Sequence, residues 1–309
     1  MILTVTLNPS LDLTLFLSEL KLGRVHRSYK EVLIPGGKGI NISRTLRIFD
    51  EKTFILGFSG GTTGNILEEE LKKRNIPFEF VRINGDVRFA IGIIETENNR
   101  PVTVINGRGP KISQDKIFEF KEKFEKLISN SQFVVLSGSI PPGVPQSIYL
   151  DLLEIAERYP VVKVLDAQGM AFKTALSRKP DIIKPNQEEA EEILNFSLKN
   201  NIDLKKAGYF FREKGIKYSL ISLGEKGAFL STENEMFLAS LPPIKGYNWG
   251  AGDAFLAGFI IGIKNNDPVY ALKLACATSY IKLQKLELEK EDVPSIFKLL
   301  DKVELRKID

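Results

Sequence analysis

Histidine is nearly absent from this chain: His26 is the only one in 309 residues. That excludes most zinc-ligand sets and leaves His26 as the one residue around which a Ser-His-Asp triad within one chain could be built. Cysteine is as scarce. Cys276 stands alone, so no internal disulfide is available, and a reducing, cytoplasmic setting is expected. No apolar run approaches the length of a membrane span. The first residues enter a strand pattern without a basic segment and a long apolar core, so no signal peptide is expected. The net charge of +4 is mild and spread along the chain. It offers neither a nucleic-acid arm nor a polybasic membrane patch, although it helps to gather anionic substrates. Chemistry must come from carboxylates, lysines, arginines, hydroxyls or backbone.

What is present is an ordinary globular balance, 43% apolar and 27% charged. Short β-branched runs at 2–7, 53–58, 132–138, 161–167, 181–186 and 218–224 read as buried strands. Helical patterns follow most of them, at 39–49, 63–74, 145–159, 187–194 and 204–214. The alternation predicts an α/β fold with a mostly parallel sheet covered on both faces. Ligands then gather at the carboxyl ends of the strands. Two regions break the rhythm. Residues 14–34 alternate and carry charges, and 87–105 read as a hairpin around "ENNR". Strands with one polar face suit a small separate sheet, a lid or dimerisation surface inserted into the α/β domain; edge strands of the main sheet are the alternative.

Several glycine turns carry the chemistry. In "YNWGAGDAF" (247–255), glycines flank Ala251, Asp253 follows, and an apolar helix pattern begins. Glycine N–H groups and a helix N-terminus make an anion hole. A carboxylate there repels an anion, but it can take a proton from a hydroxyl that attacks one, as phosphoryl transfer requires. Alternatively, Asp253 only caps the helix. "IPGGKGINISR" (34–44) is a second glycine turn, with Lys38 inside it and Asn41 behind. It lacks the spacing of a P-loop. "SGSIPPG" (137–143), "KPNQEE" (184–189) and "SLGEKG" (222–227) end further strands, and Asn186 and Glu189 suit a Mg2+ shell, often through water.

These motifs, with "TLNPSLD" (6–12), occur in an order that resembles the ribokinase-like sugar kinases of the PfkB family. The pairing of "TLNP" with "GGKGIN" resembles the branch of 1-phosphofructokinases, tagatose-6-phosphate kinases and minor 6-phosphofructokinases. The resemblance implies a three-layer α/β/α domain over residues 1–309, with a mostly parallel central sheet and a small β-sheet lid whose strands are inserted at about 14–34 and 87–105. It implies an enzyme that uses ATP and Mg2+. Asp253 would be the catalytic base, and Gly250, Ala251 and Gly252 the anion hole for the moving phosphoryl group. Asp12 and Asn41 would bind sugar hydroxyls, and Gly36 and Gly37 would admit the sugar. Arg27, Lys38 and Arg88 would neutralise a phosphate already on the substrate, with Ser137 nearby. Lys184, Asn186 and Glu189 would serve ATP phosphates and Mg2+, and Ser222, Gly224 and Gly227 the nucleotide pocket. Fructose 1-phosphate is the first-choice substrate, ahead of tagatose 6-phosphate and fructose 6-phosphate. Relatives often pair through such lids, so a homodimer is an expectation.

The chain departs from the family pattern in places. Asn248 and Trp249 replace small residues before the glycine turn, and Ala254 follows Asp253 where a hydroxyl residue is common. Ala90 stands where many relatives carry asparagine, Gly92 stands near a frequent lysine, and Gln168 replaces a serine. Trp249 and Asn248 motivate a second reading, a sugar-phosphate sensor that catalyses little.

Overall fold

The alternation of apolar runs and amphipathic stretches is realised as a layered α/β arrangement. The computed structural model describes residues 1–97 and 100–308. Its strands are β1 (Ile2–Thr6), β2 (Ser10–Leu17), β3 (Lys30–Gly36), β4 (Thr53–Ser59), β5 (Phe78–Arg82), β6 (Arg88–Glu95) and β7 (Thr103–Asn106). They continue with β8 (Phe133–Ser137), β9 (Val162–Asp166), β10 (Ile182–Ile183), β11 (Tyr218–Ser222), β12 (Ala228–Ser231), β13 (Met236–Ser240) and β14 (Glu304–Lys307). The helices are α1 (Lys38–Ile48), α2 (Gly61–Lys73), α3 (Gln114–Ile128), α4 (Ile148–Ala156) and α5 (Gly169–Ala175). After them come α6 (Gln187–Leu194), α7 (Asn201–Glu213), α8 (Ala251–Ile263), α9 (Pro268–Leu283) and α10 (Val293–Leu299).

Ten strands form one sheet in the order β14-β13-β12-β11-β10-β9-β8-β1-β4-β5. From β11 to β5 every pairing is parallel, and β12, β13 and β14 add an antiparallel edge. Apolar residues cover both faces. One core gathers Phe120 and Phe124 of α3, Leu152 of α4, Phe172 of α5 and Phe211 of α7. The other gathers Ile42 and Leu46 of α1 with Phe255, Phe259 and Ile260 of α8 and Ala271 and Ala275 of α9. Burial on this scale is the main driving force for the fold. β10 is shorter than its apolar run because Pro185 has no N–H to offer the ladder, and the chain turns there into α6.

The two irregular regions form a separate sheet in the order β3-β2-β6-β7, not edge strands of the main one. β2 and β6 run parallel; the outer pairs are antiparallel. The period of two sorts its residues. Leu33, Leu13, Ile91 and Ile105 lie in one cross-strand row, as do Ile34, Asp12, Ala90 and Asn106 in the next. The second row faces the cleft between the sheets, and the first faces away, with Ile105 exposed at 55%. The middle of the expected "ENNR" turn, Asn98 and Asn99, lies outside the described residues.

Candidate active site

Parallel pairing aligns the carboxyl ends of β1, β8, β9, β10 and β11 along one edge. Thr6, Ser137 and Asp166 stand side by side in register, and Lys184, Asn186 and Ser222 follow on the next strands. All but the fully buried Asp166 line a cleft of about 900 Å³ that the small sheet borders with Asp12, Arg88 and Ala90. Both glycine turns close it. α1 and α8 begin at Gly37 (φ 103°) and Gly250 (φ 79°), backbone conformations that favour glycine. A side chain on Gly37 would strike Thr6, so α1 starts against the end of β1.

Asp253 is the third residue of α8 and lies buried at the cleft floor. It does not cap the helix. Its Oδ2 accepts a hydrogen bond of 2.9 Å from Asn41 Nδ2, so the two glycine turns meet at this carboxylate. Burial pushes its pKa up to about 6; Lys38 acts against that and Asp166 with it. The first N–H groups of α8 have no partner inside the helix and carry its positive dipole end. A proton acceptor and an anion hole therefore share one turn.

On the side of the small sheet, Asp12 is buried in β2 and accepts a bond of 2.6 Å from Ser10 Oγ. Burial raises its pKa to about 6, with Ser10, Arg44, Arg88 and Lys282 opposing. Gly36, paired with Ser10 on the neighbouring strand, lies against the side chain: a methyl there would fall 2.1 Å from all three carboxyl atoms of Asp12. Its glycine is a matter of space. Arg88 reaches over the same end, donating to Asn8 O (3.3 Å), Asn106 Oδ1 (3.3 Å) and Gly107 O (3.3 Å). Burial lowers its pKa, and Asp12 counteracts this.

Two expected phosphate cations are placed differently. Arg27 is exposed in the segment between β2 and β3 and does not line the cleft of its own chain. Lys38 does line it, yet turns to the opposite side. As the first residue of α1 its Nζ reaches Asp166 Oδ1 at 3.1 Å. Burial would lower its pKa, but Asp166, Asp253 and Glu189 outweigh that and hold the ammonium firmly protonated. Lys184 Nζ approaches the same Asp166 oxygen at 3.4 Å, and Ser137 Oγ donates to its other oxygen at 3.3 Å. Asp166 is fully buried; the two lysines overcome the burial and keep its pKa low. Ser137 and Lys38 thus belong to a cluster of charge around Asp166 rather than to the surroundings of Arg88.

At the far end Asn186 caps α6 in a reciprocal box. Its Oδ1 accepts from Glu189 N (2.8 Å), and Glu189 Oε2 accepts from Asn186 N (2.8 Å). Asn186 is thereby committed to the helix start rather than free for a metal. Glu189 Oε1 is buried without a hydrogen-bond partner among the described residues. An orphaned carboxylate oxygen beside the cleft fits Mg2+ reached through water. No group of three or more His, Cys, Asp or Glu that could hold a metal occurs among the described residues, so the protein would supply few ligands. Ser222 lines the cleft, whereas Gly224 and Gly227 do not. A methyl on Gly227 would fall 2.0 Å from Ala239 O, so this glycine serves the β12–β13 pairing.

Sequence reasoning missed several residues. Arg108, from "NGRG" after β7, lines the cleft with Arg88. Asn8 Nδ2 ties the Arg108 carbonyl (3.2 Å) to Ser139 Oγ (3.1 Å). Asp166, the hub for both lysines, is marked only by its place at a strand end. Trp249 leans on the small sheet: a methyl on Gly92 would lie 2.5 Å from its Cζ3.

The pfkB family carbohydrate kinases match this chain over residues 5–294. It is 34% identical over 270 residues to a 1-phosphofructokinase of Bacillus subtilis, covering 87% of this chain and 88% of that one. It is also 34% identical over 269 residues to a tagatose-6-phosphate kinase of Staphylococcus epidermidis, covering 85% of each. A crystal structure described as a possible 1-phosphofructokinase from Thermotoga maritima superimposes with a TM-score of 0.89 at 28% identity, over 100% of this chain and 99% of that one. With the glycine turns, the strand-end cleft and the small covering sheet all in place, the chain belongs to the pfkB family of carbohydrate kinases.

Proposed function

We propose that this chain phosphorylates a ketohexose phosphate with ATP and Mg2+, and that fructose 1-phosphate, giving fructose 1,6-bisphosphate, is its substrate. The observation that carries the reading is Asp253: a buried carboxylate raised to about 6, beside the helix N-terminus that would hold the phosphoryl group. The names of the relatives support a phosphosugar but divide over which one.

In this reading Asp12 and Asn41 hold the sugar hydroxyls, and Arg88 and Arg108 meet the phosphate that the substrate brings. Asp253 takes the proton from the attacking hydroxyl. The sugar oxygen forms its bond to the γ-phosphorus as the bond to the bridging oxygen breaks, and ADP leaves with that electron pair. The N–H groups of Gly250 and Gly252 would face the moving phosphoryl oxygens, while that of Ala251 is held by Asn248 O at 3.2 Å, and Lys38 and Lys184 would balance the phosphoryl charge. Lys184 and Ser222 belong to the nucleotide end. Glu189 would hold Mg2+ through water, which supplies positive charge to the phosphate oxygens. The small sheet excludes water that would otherwise accept the phosphoryl group.

The outer row of that sheet, with Leu33 and Ile105 exposed, supports a homodimer through the lid. A monomer in light scattering would refute it. Among the described residues no helix is long and apolar enough to cross a membrane, and a cytoplasmic setting rests on the lone buried Cys276.

The test is ADP release with ATP and Mg2+ on fructose 1-phosphate, fructose 6-phosphate, tagatose 6-phosphate, fructose and ribose. Preference for fructose 1-phosphate is expected. Preference for either 6-phosphate reassigns the substrate, and activity only on free sugars refutes the phosphosugar site. Binding of a sugar phosphate with no turnover would select the sensor reading.

A further inference from the structure

Lys282 is a lysine in an unusual place. It sits in the last turn of α9 and is only 9% exposed, a burial that lysine rarely reaches unless paired. No carboxylate lies within ion-pair distance of it among the described residues. Its Nζ donates to two backbone carbonyls instead, Trp249 O at 2.8 Å and Lys285 O at 3.1 Å. Burial, then Arg44, brings its pKa down to about 8, while Asp253, Glu287 and Asp12 pull it up. It remains an ammonium at neutral pH.

The packing of α8 on α9 explains how it gets there. The two helices are antiparallel and pressed together through small residues. A methyl on Gly262 would fall 2.4 Å from Ala271 Cα, and one on Gly258 2.8 Å from Leu274 O. The last turns of α9 therefore lie beneath the first turn of α8. Ser279 Oγ donates to Ala251 O at 3.0 Å, and one turn later Lys282 takes Trp249 O. A methyl on Gly250 would lie 3.8 Å from the Lys282 ammonium.

A peptide unit is planar and trans, so its C=O and the following N–H point in opposite directions. Drawing the Trp249 carbonyl down onto Lys282 turns the Gly250 N–H the other way. Gly250 has a glycine backbone and no side chain to hold that orientation by packing. Resting on the kinase reading above, we infer that Lys282 is a positioning residue for phosphoryl transfer: a tethered cation that grips the carbonyl side of the Trp249–Gly250 peptide so that its amide side faces the phosphoryl group.

The experiment uses the full chain and the phosphosugar selected by ADP release. Lys282→Met keeps most of the stem volume and removes the charge, Lys282→Ala leaves room for a free cation, and Lys282→Arg restores a charged donor. Loss of one oriented donor predicts a fall in kcat of about 100-fold in Lys282→Met, with sugar and ATP KM moving less than about threefold. Lys282→Arg should stand at least about tenfold above Lys282→Met, and methylammonium chloride should raise Lys282→Ala by about tenfold while leaving the wild type unchanged. Should Lys282→Ala not fold, the Met and Arg pair decides. A Lys282→Met kcat within about threefold of wild type, or a loss that neither arginine nor methylammonium recovers, overturns the inference.

Trp249 is the only tryptophan, so its emission reports this turn without any turnover. Lys282→Met should alter its emission and make it more open to acrylamide quenching than in the wild type. Unchanged emission and quenching overturn the inference. If the wild type turns over no sugar phosphate, the kinase reading falls, and the fluorescence arm alone judges Lys282.

Discussion

Replacing Asp253 by asparagine should make the protein more stable and almost inactive. The carboxylate is buried, and its pKa stands at about 6 against an ordinary 3.8. A carboxylate raised in this way favours the fold below its ordinary pKa, and that contribution is lost as pH climbs through about 6. At about pH 8 the difference amounts to about 3 kcal/mol of unfavourable ionisation, and at about pH 5 to about 1.5 kcal/mol. Asparagine removes that term yet still presents an oxygen to Asn41 Nδ2. At about 2 °C per kcal/mol for a chain of this size, Tm should rise by about 5 °C at pH 8 and by about half as much at pH 5. Loss of the base should lower kcat by about 100-fold or more, with sugar binding largely intact. In the wild type, kcat/KM should climb from acid pH through about 6 to a plateau, steepened because Asp12 is raised to about 6 as well. Thermal unfolding at two pH values and ADP release check both halves. A lower Tm at pH 8 would refute the burial argument, and turnover within about tenfold of wild type would refute the base.

The other perturbations separate the two ends of the cleft. Gly36→Ala places a methyl 2.1 Å from the Asp12 carboxyl atoms, so the carboxylate must move. Sugar KM should rise about tenfold or more through loss of a charged hydrogen bond, at a stability loss of about 1–3 kcal/mol; an unchanged KM would remove Asp12 from sugar binding. Glu189→Gln keeps the capping box, because glutamine also serves at that position, but deletes the orphaned anionic oxygen. The Mg2+ concentration for half-maximal rate should rise about tenfold with Tm and sugar KM little changed, and an unaltered Mg2+ titration would place the metal elsewhere.

The α/β layering was legible because buried parallel strands read as continuous apolar runs, as in "ILTVTL" and "QFVVLSG", and glycine turns follow them. α6 occupies the helical pattern at 187–194, whereas Asn186 and Glu189, read from the sequence as suited to Mg2+, also form its capping box. The antiparallel edge β12–β14 was not assigned: its strands are four or five residues long. The site was legible where a motif fixes local backbone, as at Gly250 and Gly37. It was obscure where a long side chain chooses between neighbours brought in by topology. Lys38 shares a motif with the sugar-binding turn, yet β9 offers Asp166 within reach of its stem. Arg27 had the right charge but lies on an exposed segment, while Arg108 reached the rim from a loop with no distinguishing pattern. Lys282 reads in sequence as one more surface lysine; only the close α8–α9 contact buries it.

The departures around the catalytic turn become one event when their neighbours are considered together. Trp249 is the largest residue of the turn, and Gly92 of β6 has no side chain. The indole reaches the small sheet at Gly92, in space that any side chain there would fill. A large ring on the turn is thus matched by a missing side chain on β6, so the two pack without a clash. Crowding by Trp249 was the motive for a non-catalytic sensor, and its ring is directed at β6, while Asp253 retains its bond to Asn41 across the two glycine turns. The same contact couples the turn to the small sheet. A phosphosugar that fixes β2 and β6 through Asp12 and Arg88 would thereby steady, through Gly92 and Trp249, the peptide that Lys282 grips from below. Substrate binding and the orientation of the phosphoryl-binding amides are then parts of one packed unit, which favours a working kinase over a passive binder.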